Sequence, residues 1–462
     1  MKNILKKQIL WAIPLAFSLL TSSCSDYLDK LPENTVEVEG IDYTNKSNMY
    51  MPVSGVYATA RGYLGSWSSY GCIIVRGDDV NKGGSPTDQI EYEYASKFQY
   101  DRLTTFWALS GLWGNCYYVV STSNSALESL ENYAKHLTSE SDKQLNAQYA
   151  AEVRFFRAYD ELDYCIANLP AIRPNESEHP GAVTKYTAEM LKAKQKMYDN
   201  EWDEVLALTE DIVNSGKFEL YNDFYELFKI PGKLCNESLL EYQFTDFGNG
   251  SGDIVSSDNW FAFQGPRGEA PISGWAFIEP TEKIRNLFSK RGEAVRAETT
   301  FLMTDATTRD GDYIPVAQPG EPTAYNGKAY TPANQMTPGR TGYGDNNNIR
   351  VFRYADVLLM NAEAKVRKGQ NGDAPLNLVR ERAGLAPIAN ATLDQILEER
   401  QVELALEWGE RFFDLVRTDR ATQELPGFVK GESEYYPIPQ DQIDLNPNLE
   451  AEPVPFEPEV TE

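Results

Sequence analysis

The residues best suited to catalysis in this 462-residue chain are three glutamates at helical spacing. Glu399, Glu403 and Glu407 recur every four residues, so they face the same way along a helix. Two carboxyl groups held across one sugar are what a glycosidase needs. Because Arg400 and Arg411 lie nearby in the sequence, we interpret the glutamates as an ion-paired structural face rather than a catalytic pair.

Other catalytic signatures are missing from the sequence. Its two histidines, His136 and His179, belong to no H-E-x-x-H arrangement, and neither G-x-S-x-G nor G-x-x-x-x-G-K-[ST] occurs. Residues 310–312 (DGD) and 344–347 (GDNN) have the oxygen-rich character of calcium loops, but turn chemistry explains both equally well. We therefore expect no enzyme activity and no cofactor, and we assign no metal site, while calcium binding stays open.

The charge of the chain excludes one class of partner. The formal net charge is −26, whereas a protein that binds nucleic acid presents a basic face to the phosphates. We therefore expect no nucleic-acid partner.

The first 24 residues predict export and anchoring. A basic start with Lys2, Lys6 and Lys7 precedes a short apolar run over residues 9–20, which Pro14 interrupts. Small residues and then Cys24 follow. This order is typical of a secretory signal, and a cysteine directly after the small residues is where a lipoprotein precursor is cut and lipidated. The alternative is a plain signal peptide with an incidental cysteine.

The other four cysteines, Cys72, Cys116, Cys165 and Cys235, are widely spaced and form no C-x-x-C pair. Cys116 and Cys165 lie on apolar helical faces, so we expect them in the core. An exported location permits a disulfide, but the spacing does not imply one.

Helical periodicity dominates the rest of the chain. Apolar residues recur at three- and four-residue spacing in several segments, whereas residues 62–105 and 231–345 show no sustained period. The pattern predicts helices over 42–57, 113–130, 140–167, 353–368, 374–383 and 392–417, with a helical hairpin over 184–220. The expected fold class is mainly α, with few short strands and long loops.

Several blocks in order along the chain resemble the SusD/RagB family of outer-membrane nutrient-uptake lipoproteins. The matching segments are residues 24–29 (CSDYLD), 151–159 (AEVRFFRAY), 353–364 (RYADVLLMNAEA), 376–385 (LNLVRERAGL), 411–417 (RFFDLVR) and 436–439 (YPIP). Trp408 departs from the family pattern by intervening between Glu407 and Gly409, and residues 84–100 do not match the starch-binding prototype. The second departure leaves the identity of the ligand open.

The resemblance implies four tetratricopeptide-like helix pairs. It also implies a glycan-binding protein without catalysis, anchored to the outer membrane through Cys24 and facing the cell exterior. By the same resemblance, we expect the protein to deliver an oligosaccharide or polysaccharide ligand there to a SusC-like TonB-dependent transporter. The expected division is a signal peptide over 1–23, an N-terminal SusD-like region over 24–230 and a C-terminal RagB/SusD region over 231–462. A peptide-binding member of the family and a surface glycosidase are the alternatives.

Sugar recognition needs flat aromatic faces together with polar groups for the hydroxyls. The resemblance places ligand contacts in the irregular segment, and a second aromatic group lies in a glycine-rich loop. The candidate glycan-binding residues are Trp67, Tyr70, Asp78, Asp79, Asn81, Lys82, Tyr92, Tyr94 and Trp260. Trp113 and Tyr117 have helical spacing, and we expect them in the core.

Overall fold

The computed structural model describes residues 41–157, 161–244, 259–268, 272–317, 320–336 and 346–450. The chain from Ser47 onward forms one compact unit, and of the preceding unit, Met1–Lys46, only residues 41–46 are described. Cys24 and the predicted signal lie outside the described residues. The division predicted at residue 230 stays a prediction.

The described residues form mainly helices. In chain order these are α1 (Met51–Tyr63), α2 (Trp67–Ile74), α3 (Ile90–Ser96), α4 (Trp107–Ala134), α5 (Glu140–Arg157), α6 (Leu162–Asn168), α7 (Lys185–Asp199), α8 (Trp202–Asn214), α9 (Phe224–Leu227), α10 (Trp260–Gln264), α11 (Glu282–Arg291), α12 (Ala294–Thr300), α13 (Tyr354–Arg367), α14 (Asp373–Arg382), α15 (Leu393–Glu403), α16 (Glu410–Arg417), α17 (Ala421–Glu424) and α18 (Gln440–Leu445). None of these described helices is long and apolar enough to cross a membrane.

The strands are short and pair only in twos within the described part of the chain. They are β1 (Val80–Gly83), β2 (Ser238–Tyr242), β3 (Phe277–Pro280), β4 (Phe301–Met303), β5 (Ala306–Thr307), β6 (Tyr313–Ile314), β7 (Ala324–Asn326) and β8 (Ile349–Arg353). The antiparallel pairs are β1 with β3, β2 with β8, β4 with β7 and β5 with β6. A mainly α fold with few short strands is therefore confirmed.

The helical hairpin predicted over 184–220 is present as α7 and α8. Thr184 and Thr187 form a capping box at the start of α7, and Asn200 ends it in the left-handed conformation at φ +58°. The predicted stripe of Tyr186, Met190, Ala193 and Met197 is buried. Helices α7 and α8 pack on each other, and α8 also packs on α13, so this hairpin joins the C-terminal helices in one core.

Three predicted segments differ from the structure. The first helix begins at Met51 rather than at residue 42, because Pro52 is accommodated in the first turn. The segment 62–105, predicted to be irregular, contains α2, β1 and α3. The helix predicted over 392–417 is broken into α15 and α16, because Leu406 and Gly409 take φ values of +62° and +73°. Such values end a right-handed helix.

Candidate functional site

Three tryptophans from distant parts of the chain meet at the surface. Trp67 begins α2, Trp107 begins α4 and Trp275 immediately precedes the segment that leads into β3. The Trp67 ring centroid lies 5.5 Å from that of Trp107 and 5.2 Å from that of Trp275. Trp107 and Trp275 keep 50% and 38% of their surface exposed. We call these three residues the tryptophan cluster.

The backbone around Trp275 is tightly constrained. Its N–H donates to the Ala262 carbonyl at 2.7 Å. At Gly274 an added Cβ would lie 2.5 Å from the backbone of Gly265, so only glycine fits there. Ala276 follows at φ +66°, a conformation that costs a non-glycine residue of the order of 1–3 kcal/mol. The fold therefore fixes the backbone at Trp275, and a preorganised backbone lowers the cost of ordering a binding surface.

The floor beneath the cluster is aromatic. The Phe263 ring lies 4.9 Å from Trp67 and stacks on Phe277 at 4.8 Å. Both phenylalanines are buried in the larger hydrophobic core. The half-exposed tryptophan cluster is thus supported from below by side chains of the buried core.

A loop beside the cluster supplies polar groups. The Trp107 indole N–H donates to the Gln89 side-chain oxygen at 3.0 Å. The Lys82 ammonium donates to the carbonyls of Gly83, Ser85 and Asp88 at 2.7–3.0 Å, and it fixes the loop that carries Gln89. Because Lys82 is only 6% exposed, it positions this loop rather than reaching a ligand itself.

Most of the sequence-predicted residues lie elsewhere. Tyr70, Tyr92 and Trp260 are buried, and the Tyr70 and Tyr92 hydroxyls donate to the carbonyls of Leu406 and Ser68. Their burial, like that of Lys82, leaves them without the exposure that a direct ligand contact requires.

The two candidate aspartates are also engaged within the chain. Asp79 is buried and accepts from the Gln401 amide at 2.7 Å, and burial, followed by the charge of Asp78, raises the pKa of Asp79 to about 7. Asp78 pairs with Arg411 and Lys283. The partners of both carboxylates lie outside the tryptophan cluster.

Two further candidates remain accessible. Asn81 is exposed on β1, where its amide lies 3.5 Å from a Glu279 oxygen. Tyr94 is half-buried, with the Arg102 guanidinium 4.7 Å from its ring centroid. Of the nine candidates, only Trp67 belongs to the tryptophan cluster.

Three residues of α4 were expected to be buried in the core, and the structure agrees only in part. Trp113 is half-buried and contacts Tyr117 at a ring distance of 5.0 Å, but Tyr117 is 58% exposed. Cys116 is exposed as well, whereas Cys165 is buried as expected. The expectations for Tyr117 and Cys116 were wrong, because the N-terminal half of α4 packs on its neighbours through a narrow face only.

Glu399, Glu403 and Glu407 form ion pairs, as interpreted from the sequence. Glu399 contacts Arg291, Arg296 and Arg380 at 2.5–2.8 Å. Glu407 pairs with Lys328 and Arg353, both at 2.6–2.7 Å. The Glu399 contacts hold α15 against its surroundings, and the Glu407 contacts hold the segment that follows α15.

Glu403 has the densest set of partners. Its oxygens lie 2.5 Å from Arg382, 3.0 Å from Arg353 and 3.1 Å from Arg296. Burial alone would raise the pKa of Glu403, but these guanidinium groups lower it to about 2. A glycosidase acid needs the opposite shift, so Glu403 is unsuited to that role.

In the first of the two candidate calcium loops, both aspartates accept hydrogen bonds from other residues of the chain. Asp310 accepts hydrogen bonds from Tyr225 and Asn334, and Asp312 accepts from Tyr330 and from the Ala333 N–H. Among the residues that the structure describes, no group of three or more His, Cys, Asp or Glu side chains could hold a metal. Residues 344 and 345 of the second candidate loop lie outside the described residues.

Comparisons with known proteins agree with this architecture. Residues 294–434 match the SusD family model. A SusD-like protein of Bacteroides ovatus is 24% identical over 86% of this chain and 80% of its own length. SusD-like protein P38 of Formosa agariphila is 36% identical over 24% of this chain and 25% of its own length.

Solved structures match over nearly the same span. Surface glycan-binding protein A from Bacteroides thetaiotaomicron, solved in complex with laminarihexaose, superposes with a TM-score of 0.72 at 23% identity. The match covers 87% of this chain and 98% of the other. A laminarin-binding SusD-like protein gives 0.71 at 24% identity, over 86% and 97% of the two chains. The mainly helical fold is therefore the SusD-like fold.

Proposed function

We propose that this chain is a member of the SusD family, whose model matches residues 294–434, and that it is a surface lipoprotein that captures oligosaccharides and passes them to a TonB-dependent outer-membrane transporter. The observation that supports glycan capture is the tryptophan cluster. Its half-exposed indole rings present flat apolar faces with polar edges, the surface on which a pyranose ring stacks. Gln89 lies beside these faces with an amide suited to sugar hydroxyls.

The laminarihexaose and laminarin named for two structural neighbours make a laminarin-type glucan the first ligand to test. We propose that the chain binds such a glucan without turnover. The ion pairs at Glu399, Glu403 and Glu407 support this part of the proposal, since carboxylates saturated by guanidinium groups are not free to exchange protons with a substrate.

The anchoring and delivery parts rest on the sequence and the family. Cys24, at the end of the predicted signal, is proposed to carry the lipid that holds the protein in the outer membrane on the cell exterior. Two acyl signals suffice for stable anchoring. The transporter partner is proposed from the similarity to the SusD family.

The test of ligand binding is calorimetric titration of laminarihexaose into wild type, Trp107→Ala and Trp275→Ala. Removing an aromatic from the centre of an interface costs about 2 kcal/mol, so each variant is expected to bind about 30-fold more weakly. Tyr435→Ala is the matched control, because Tyr435 is 81% exposed and lies outside the cluster. Unchanged affinity in both tryptophan variants contradicts the placement of the site.

The same titration is repeated with a panel of other glycans and a pool of oligopeptides. Binding of peptides and of no glycan contradicts the glycan proposal and favours the peptide-binding alternative. Release of reducing ends from laminarin by the purified protein contradicts the absence of catalysis.

A further inference from the structure

A second set of exposed aromatic rings lies along α4. Tyr117 and Tyr118 are 58% and 52% exposed, and Tyr63 of α1, 39% exposed, packs against Tyr118 at a ring distance of 4.7 Å. Large aromatic rings left open to solvent on one face are typical of a binding surface. The tryptophan cluster does not include these rings.

The spacing along α4 connects Tyr118 to the cluster. Trp107, Gly111, Gly114 and Tyr118 are separated by four, three and four residues, so they share one face of the helix. We call this the open face of α4. At 1.5 Å per residue, Tyr118 lies about 16 Å along the helix axis from Trp107. One end of the open face is thus part of the tryptophan cluster.

The two glycines leave the middle of this face bare. A Cβ added at Gly111 or at Gly114 would meet nothing within 4 Å. Glycine destabilises a helix interior relative to alanine, and no neighbouring group of the described structure requires it at either position. Their effect is to leave the helix backbone accessible between two aromatic ends.

The charge of this surface restricts what it can bind. Residues 107–127 contain no Asp, Glu, Lys or Arg, although 24% of the chain is charged. Hydroxyl side chains continue the open face at Ser121 and Ser125, both exposed. Asp441 contributes one carboxylate at the flank by accepting from Ser110 at 3.0 Å. A strongly acidic protein repels polyanions, and this neutral surface offers a cationic partner little to pair with.

From these observations we infer that the open face of α4 is a second glycan-binding surface, which holds a neutral polysaccharide strand extending from the tryptophan cluster towards Tyr118 and Tyr63. This inference rests on the proposed function and adds a preference for long, uncharged chains. The aromatic ends stack on sugar rings, and the bare backbone between them lets the strand lie close to the helix.

The test compares a polymer with a short ligand. Laminarin and laminaritriose are titrated into wild type, Tyr118→Ala and the double variant Gly111→Gln with Gly114→Gln. Both variants are expected to bind laminarin about tenfold more weakly and the trisaccharide within twofold of wild type. The glutamines cover the floor of the open face, but they favour the helix, so the melting temperature of the double variant is expected to stay level or rise.

The matched controls are Gly55→Gln and Tyr435→Ala. Gly55 lies in α1, is exposed and has nothing within 4 Å of an added Cβ. Both controls are expected to bind laminarin as wild type does.

Laminarin affinity within twofold of wild type in both α4 variants overturns the second surface and leaves the tryptophan cluster standing. An equal loss for polymer and trisaccharide also overturns it, because the effect is then on the cluster. Failure of wild type to bind any glycan overturns the proposed function and this inference together.

Discussion

Replacing Glu403 by glutamine removes one buried charge from among three guanidinium groups. The Glu403 side chain is fully buried, and the variant leaves Arg296, Arg353 and Arg382 short of an acceptor charge. Removing one partner of a buried ion pair typically costs about 3–5 kcal/mol. The pKa of Glu403, lowered to about 2 from its ordinary 4.5, gives a similar figure of about 3 kcal/mol at 1.36 kcal/mol per pKa unit.

The sign of the pH dependence follows from the same shift. Because the folded-state pKa lies below the unfolded one, ionised Glu403 stabilises the fold fully above about pH 4.5. This contribution is lost as the pH falls towards 2 and amounts to about 2 kcal/mol at pH 3.5. The variant lacks the titrating group, so its deficit relative to wild type should shrink over the same range.

Urea denaturation at pH 7 and at pH 3.5 measures both effects. Glu403→Gln is expected to lower the free energy of unfolding by about 3 kcal/mol at pH 7 and by about 1 kcal/mol less than that at pH 3.5. Glu432→Gln, at an exposed position, is the control and should differ from wild type by less than 0.5 kcal/mol. A deficit below 1 kcal/mol at pH 7, or one that does not change with pH, would refute this reasoning.

Two further predictions concern a buried carboxyl group and the predicted anchor. Burial raises the pKa of Glu152 to about 7, although Tyr57 donates to it at 2.9 Å, so its ionisation destabilises the fold as the pH rises from about 4.5 through 7. Glu152→Gln should therefore raise the melting temperature at pH 8 by more than at pH 5, and an equal shift at both contradicts this. Cys24→Ala should move the protein from the membrane fraction to the soluble fraction while glycan affinity stays at the wild-type value; continued sedimentation with membranes would show that Cys24 is not the anchor.

Helix periodicity predicted much of the fold because many helices bury a single stripe. The stripe of Tyr186, Met190 and Ala193 in α7 is one example. Helix α2 shows the opposite case: Ser68, Ser69, Tyr70, Gly71 and Cys72 are all buried. A helix enclosed on several sides has no polar face and hence no period, which explains why this segment was predicted to be irregular.

The site was harder to predict than the fold. Trp67 was identified because it lies in an aromatic-rich segment, but its partners Trp107 and Trp275 lie 40 and 208 residues further along the chain. The position of Trp275 depends on the close approach of Gly274 to Gly265. Tertiary contacts of this kind leave no local pattern, so composition selected the aromatic segment and missed two of the three rings.

The arginine network has a consequence for the kinetics of folding. Arg353 contacts Glu237 across 116 residues and Glu403 across 50, and Arg296 contacts Glu403 across 107. Contacts this distant in sequence form only after long loops close, so the network is expected to form after the transition state. Interactions absent from the transition state slow unfolding rather than speed folding. We therefore expect the network to slow unfolding and to lengthen the lifetime of the native protein.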